Sequence, residues 1–137
     1  MALGRELFVD TSAWYVLVVA DHSEHARLAA VLRERVEQGV KIVTSSLVVA
    51  ETHALLLRRV GRDIALRFAE TVGRAPNEVV PCSAELEAAA RRDWLAKFAD
   101  NDFSLTDAVS FAIMRQRGTT EALTLDRHFS AVGFVML

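Results

Sequence analysis

Cysteine is almost missing from this sequence. The 137 residues hold one, Cys82, so no internal disulfide can staple the chain and the fold must rest on a buried core. A single cysteine also fits a reducing cytoplasm, and its plain reading is a small residue in or near the core rather than a reactive thiol. Glycine numbers six and proline two, too few for a collagen-like or low-complexity chain. No apolar run approaches the length of a membrane span, the longest being Ala13 to Ala20, so no membrane association is expected. A secretory signal pattern is not visible at the N-terminus, which again points to the cytoplasm. Charge of one sign is lacking too. With 16 Lys and Arg against 18 Asp and Glu the formal net charge is -2, which gives no overall attraction to nucleic acid, although local clusters can outweigh the sum.

What is present is a globular composition, 52% hydrophobic and 25% charged, in a length suited to one domain over residues 1–137. Such a chain buries roughly 70% of its unfolded surface. Leu7 to Val9 reads as a short buried strand running into Asp10, with Thr11 and Ser12 suited to capping a helix. Ala26, Ala29, Ala30, Leu32 and Val36 fall at helical spacing within His22 to Gln38, and Gly39 is the stop. "KIVTSS" is a second strand, with Ser45 or Ser46 as cap for a helix from Leu47 to about Val60, closed by Gly61. A helix over Arg62 to Val72, a strand at "EVVPC" and a capped helix over Glu85 to Phe98 follow. Thr106 can cap a helix running through Arg117 and stopped by Gly118, before strands at "EALTLD" and "VGFVML". Strands alternating with helices predict an α/β fold, a three-layer α/β/α sandwich around a parallel sheet of four to five strands.

In such a sheet the functional crevice lies beyond the carboxyl ends of the strands, where strand order reverses. Asp10 follows the first strand, Glu51 lies one to two turns into the helix after the second, Asp107 begins the helix before the fourth, and Asp126 follows the fourth. Each has a plain structural use. Asp10 and Asp107 near helix N-termini suit the macrodipole, and Asp126 in "TLDRHF" suits a turn. Glu51 has the weakest such excuse, because apolar residues surround it in "SSLVVAETHALLLRR". Four acids reaching one edge would repel, so they must take up protons or share cations. Oxygen ligands with few histidines favour Mg²⁺ or Mn²⁺ over Zn²⁺. Two such ions about 4 Å apart would suit in-line displacement at a phosphodiester. Setting the four acids aside leaves 14 of the 18 against 16 Lys and Arg, a mildly basic body for phosphate.

The segments "FVDTSAW", "VVAET", "FSLTDAVSFAIMRQRG" and "ALTLDRHF", in this order and spacing, resemble a PIN-domain ribonuclease, most closely the small VapC-type toxins of toxin-antitoxin pairs. The resemblance runs from Phe8 to about Phe134. It implies that Asp10, Glu51, Asp107 and Asp126 are the metal-binding and catalytic acids, with Thr11 and Thr124 as hydroxyl neighbours. It also implies Mg²⁺- or Mn²⁺-dependent cleavage of RNA, a homodimer, and inhibition by a cognate antitoxin protein. Alternatives stand beside it: a PIN-like module that binds RNA or protein without cleaving, or a housekeeping RNA-processing nuclease. A haloacid-dehalogenase-like phosphatase also places an aspartate after strand one, but Ser12 stands where its second aspartate belongs.

Several other residues bear on the site. Asp100 and Asp102 lie just upstream of Asp107 and could replace or supplement a ligand. His53 faces away from Glu51 on a helix, and His22, His25 and His128 lack the spacing of a metal motif. Arg115, Arg117 and Arg127 flank the motif-bearing segments and are the better candidates to meet RNA phosphates. Arg58, Arg59, Arg91 and Arg92 read as solvated helix arginines. Trp14 and Tyr15 could stack on a base or line a dimer contact, with core packing the plainer role.

Overall fold

The structure, a computed structural model, describes residues 5–137; residues 1–4, the start of the domain expected over residues 1–137, lie outside it. Five strands, β1 (Glu6–Val9), β2 (Lys41–Ser45), β3 (Asn77–Val80), β4 (Glu121–Leu123) and β5 (Val135–Met136), form one parallel sheet in the order β3-β2-β1-β4-β5. All-parallel pairing demands crossovers and coverage on both faces. Seven helices supply them: α1 (Thr11–Val18), α2 (His25–Glu37), α3 (Ser46–Arg59), α4 (Arg62–Thr71), α5 (Ala84–Ala90), α6 (Leu105–Arg117) and α7 (His128–Ala131). The chain steps from β1 outward through β2 to β3, then returns to add β4 and β5 on the other side of β1. Right-handed crossovers made in opposite directions put the two helix groups on opposite faces, which gives the expected α/β/α sandwich. α1 to α4 pack among themselves, as do α5 and α6.

The core explains why the three central strands, β1, β2 and β4, are short and largely buried. Leu7, Phe8, Val9, Ile42, Val43, Ala122 and Leu123 are fully or almost fully buried from both sides. Under one face lies an aromatic cluster in which Phe111 touches Trp94, Phe103, Phe129 and Phe134 at ring-centroid distances of 5.0–5.8 Å. On the other, Trp14 is buried against Phe68 and donates its indole N–H to Thr44 Oγ1 at 3.2 Å, so it is a core residue. Tyr15 is half-buried, with the Arg59 guanidinium 5.6 Å from its ring centre.

The elements differ from the sequence expectation in four places. α2 begins at His25, three residues later than expected, after the chain turns through His22 and Glu24. The helix expected to reach Phe98 changes after Ala90 into a π-helical turn, Arg91–Leu95, which swings Trp94 into the core at 2% exposure. α7 is an additional helix of four residues. Ser104, not Thr106, caps α6: its hydroxyl accepts from Asp107 N, while Asp107 Oδ2 accepts from Ser104 N. Gly118 ends α6 in the left-handed conformation, φ 70°, as a side chain would resist.

Candidate functional site

Strand order reverses between β1 and β4, and the carboxyl ends of these neighbouring strands define the crevice. The ladder continues one residue past β1, with Asp10 N donating to Leu123 O at 3.1 Å, which brings Asp10 beside Thr124. Asp10 occupies the cap position of α1, where its carboxyl faces the Thr11 N–H but makes no cap bond further into the first turn. Instead its Oδ2 accepts from Thr124 Oγ1 at 3.0 Å and from Ser12 Oγ at 3.4 Å. Thr124 Oγ1 in turn accepts from Asp126 N at 2.9 Å, and Ser12 Oγ accepts from Leu125 N at 2.9 Å. Two hydroxyls therefore tie the end of β1 to the loop after β4 and fix Asp10 relative to Asp126.

Asp126 folds its own loop by accepting His128 N on Oδ1 at 2.9 Å, the turn role its position suggested. Asp107 arrives from the other side, delivered by the first turn of α6 and held there by Ser104. His128 Nδ1 sits between the two acids, 3.3 Å from Asp107 Oδ2 and 3.4 Å from Asp126 Oδ1. Its ring stands edge-on to Phe103 at 5.1 Å, which limits its rotation. One atom from each of Asp107, Asp126 and His128 lies within 4.8 Å of the other two, a spacing that can hold a metal ion.

The electrostatics agree with that grouping. Burial raises the Asp10 carboxyl to about 6, and the charges of Asp107 and Asp126 push the same way against the lowering effect of the Thr11 N–H and the Thr124 hydroxyl. Asp107 is also raised, first by burial and then by Asp126, with the Ser104 N–H and His128 opposing. Acids that are costly to ionise together at one edge gain from a shared cation. Oxygen donors with one imidazole form a set that suits a divalent metal ion.

Asp10 feels the charges of Asp107 and Asp126 but is not one of the three groups within ligand spacing of one another, and the other expected residues fall elsewhere. Glu51 stands on α3 with an exposed side chain, and among the described residues it is not one of the groups brought within ligand spacing. Asp100 and Asp102 are exposed in the loop before α6 and also lie outside that grouping. Thr124 bonds to Asp10 as the resemblance implied, whereas Thr11 Oγ1 is buried without a hydrogen-bond partner. Arg117 is corrected. Its guanidinium forks onto Glu6 and Glu78 at 2.7–3.2 Å near the amino ends of β1 and β3, the opposite edge of the sheet from the acids. Arg115 is exposed, with its guanidinium 4.7 Å from the centre of the Trp94 ring. Arg127 stays exposed beside Asp126. Burial pushes the Cys82 thiol up, against a nucleophilic role. Two residues passed over in the sequence belong to the site: Ser12, whose hydroxyl faces Asp10, and His128, whose pairing with Asp107 spans 21 residues.

The pattern of the PIN domain matches residues 7–135. The 23S rRNA-specific endonuclease VapC20 of Mycobacterium tuberculosis is 36% identical over 129 residues, covering 94% of this chain and 95% of the relative. Ribonuclease VapC26 of the same organism is 32% identical, covering 92% and 91%. The crystal structure of M. tuberculosis VapC20, described as a sarcin-ricin loop cleaving toxin, superposes with a TM-score of 0.83 at 35% identity, over 95% of this chain and 97% of that one. FitAcB from Neisseria gonorrhoeae shares the fold with a TM-score of 0.67 at 17% identity, covering 96% of each chain.

Proposed function

The chain belongs to the PIN-domain family, and from that premise we infer that it is a VapC-type endoribonuclease, a toxin that hydrolyses RNA with Mg²⁺ or Mn²⁺ held by its edge carboxylates. The observation that carries this reading is that Asp10, Asp107 and Asp126 reach the β1/β4 reversal, with Asp10 raised by burial and by the charges of the other two, and Asp107 by burial and by Asp126. Glu51 is assigned to the same set as the acid that turns in from α3 when cation or substrate offsets the repulsion. A bound divalent ion supplies positive charge for the phosphate oxygens and makes a bound water more acidic.

The chain's own residues supply the rest. Asp107 and Asp126 are positioned by the cap and the turn they themselves close, so their carboxylates are in place before ligand arrives. Asp10 is fixed by Thr124 and Ser12. A water oriented by one of these carboxylates attacks the phosphorus and passes a proton to that carboxylate, while the bond from phosphorus to the 3′ oxygen breaks and the 3′ oxygen leaves with a proton taken from solvent. The products are a 5′-phosphate and a 3′-hydroxyl. Exposed Arg127 beside the acids is positioned to meet a flanking phosphate. Likeness to VapC20 makes 23S rRNA the first RNA to test.

An antitoxin protein and a second copy of this chain are the partners in the same reading. Exposed apolar side chains on α3, on α4 and on Val60 between them, namely Leu57, Val60, Ile64 and Leu66, support a protein partner. No described helix is long and apolar enough to cross a membrane. Purified protein freed of any partner is expected to cut RNA with Mg²⁺ or Mn²⁺, to stop with EDTA, and to lose cutting as Asp126→Asn. Undiminished cutting by that variant would overturn the assignment.

A further inference from the structure

We propose that His128 is itself a ligand of the divalent ion, bound beside Asp107 and Asp126, and that it tilts this site toward Mn²⁺ over Mg²⁺. The inference rests on the metal-dependent reading above and goes beyond a purely carboxylate site. Its first support is distance. In an octahedral shell with bonds of about 2.1 Å, adjacent ligand atoms lie about 3 Å apart. His128 Nδ1 lies 3.3 Å and 3.4 Å from one oxygen of each acid, close to that separation without any side-chain rotation.

Orientation is the second support. The ring is held on one side by Phe103 at 5.1 Å, and its backbone N–H is fixed to Asp126 Oδ1 at 2.9 Å. A histidine pinned at both ends with Nδ1 aimed between two carboxylates is preorganised. The third is chemistry. Mg²⁺ favours carboxylate, carbonyl and water oxygens and keeps several waters, whereas imidazole binds increasingly well along the series from Mn²⁺ to Cu²⁺. One nitrogen in the set therefore lowers the relative standing of Mg²⁺. Nor does another histidine compete: His22 and His25 are engaged around the end of α1, where His25 Nδ1 meets Val16 O at 2.8 Å, and His53 lies outside the ligand grouping.

The test uses Mn²⁺ as an electron-spin probe together with calorimetric titration. Native protein loaded with Mn²⁺ is expected to show spin-echo modulation from a directly bound imidazole nitrogen, altered when histidine alone carries heavy nitrogen. His128→Phe keeps a ring against Phe103 and the backbone bond to Asp126 but removes the nitrogen. It should lose the modulation, with Mn²⁺ affinity down about tenfold or more and Mg²⁺ affinity down much less. His128→Ala should behave alike. If native protein binds Mn²⁺, loses it as Asp126→Asn, and shows no nitrogen coupling, the histidine is not a ligand while the nuclease reading survives. Failure of native protein to bind either ion would overturn both.

Discussion

Replacing Asp10 by Asn should make the metal-free protein more stable at neutral pH while removing its activity. A carboxyl held at about 6 instead of 3.8 corresponds to about 3 kcal/mol against the ionised form, and Asp10 is only 4% exposed, so solvent screens little of it. Between pH 3.8 and about 6 the folded chain keeps a proton that the unfolded chain has released. Stability therefore falls as pH rises through that window, and the full cost stands above about 6. Asn carries no charge and keeps an acceptor for the Thr124 hydroxyl, but it gives up the oxygen facing the Thr11 N–H, which takes back about 1 kcal/mol. The expected net gain in EDTA is about 2 kcal/mol at pH 8, roughly 6 °C in Tm for a chain of this length, shrinking to about 0.5 kcal/mol at pH 5. Thermal melts followed by circular dichroism at the two pH values read the difference directly. Excess Mn²⁺ should then raise the native Tm more than that of the variant. A variant less stable than native at pH 8, or a gap equal at both pH values, would refute the burial argument.

Thr124→Val removes the hydroxyl that joins Asp10 to Asp126 N; it should cost about 2–4 kcal/mol in urea unfolding and reduce RNA cleavage about 10- to 100-fold. Arg117→Met breaks the pairs with Glu6 and Glu78 at the far edge and should cost about 1–3 kcal/mol, while RNA cleavage by folded protein at 20 °C or so stays within about twofold of native. A large loss of cleavage at retained stability would instead return Arg117 to the RNA surface. Ser104→Ala removes half of the α6 capping box, with about 1 kcal/mol lost on melting and weaker Mn²⁺ binding by calorimetry because Asp107 loses its anchor.

Much of this architecture was legible because β1 and β4 end close to an acid and the central strands are short and largely buried. Asp10 and Asp126 stand directly past β1 and just past β4, so naming the strands named the edge. Asp107 was visible as a break in an otherwise apolar helical pattern. The cap of its helix was misread because "SLTD" offers two hydroxyls; the spacing of Ser104 to Asp107, which fits a reciprocal cap, was the deciding signal. α7 spans four residues, too few for any periodicity to show, and the π turn after α5 leaves the apolar pattern almost unchanged. His128 could not be found from spacing, because its distance to Asp107 depends on α6 and the β4 loop packing side by side. Arg117 needed tertiary structure in the same way: a basic residue ending a helix looks solvated until the carboxylates of two strands are found beneath it. Glu51 was read from its apolar surroundings, yet its own side chain faces water.

The central claim is that water, oriented by the acids at the β1/β4 edge, attacks phosphorus in a reaction that requires a divalent ion. The most direct measurement is cleavage of RNA with Mn²⁺ in water enriched in oxygen-18, followed by mass spectrometry of the new ends. The account predicts heavy oxygen in a 5′-phosphate, paired with an unlabelled 3′-hydroxyl, and no product with EDTA or with Asp126→Asn. Ends bearing a 2′,3′-cyclic phosphate without label, or cutting that persists in EDTA, would contradict it.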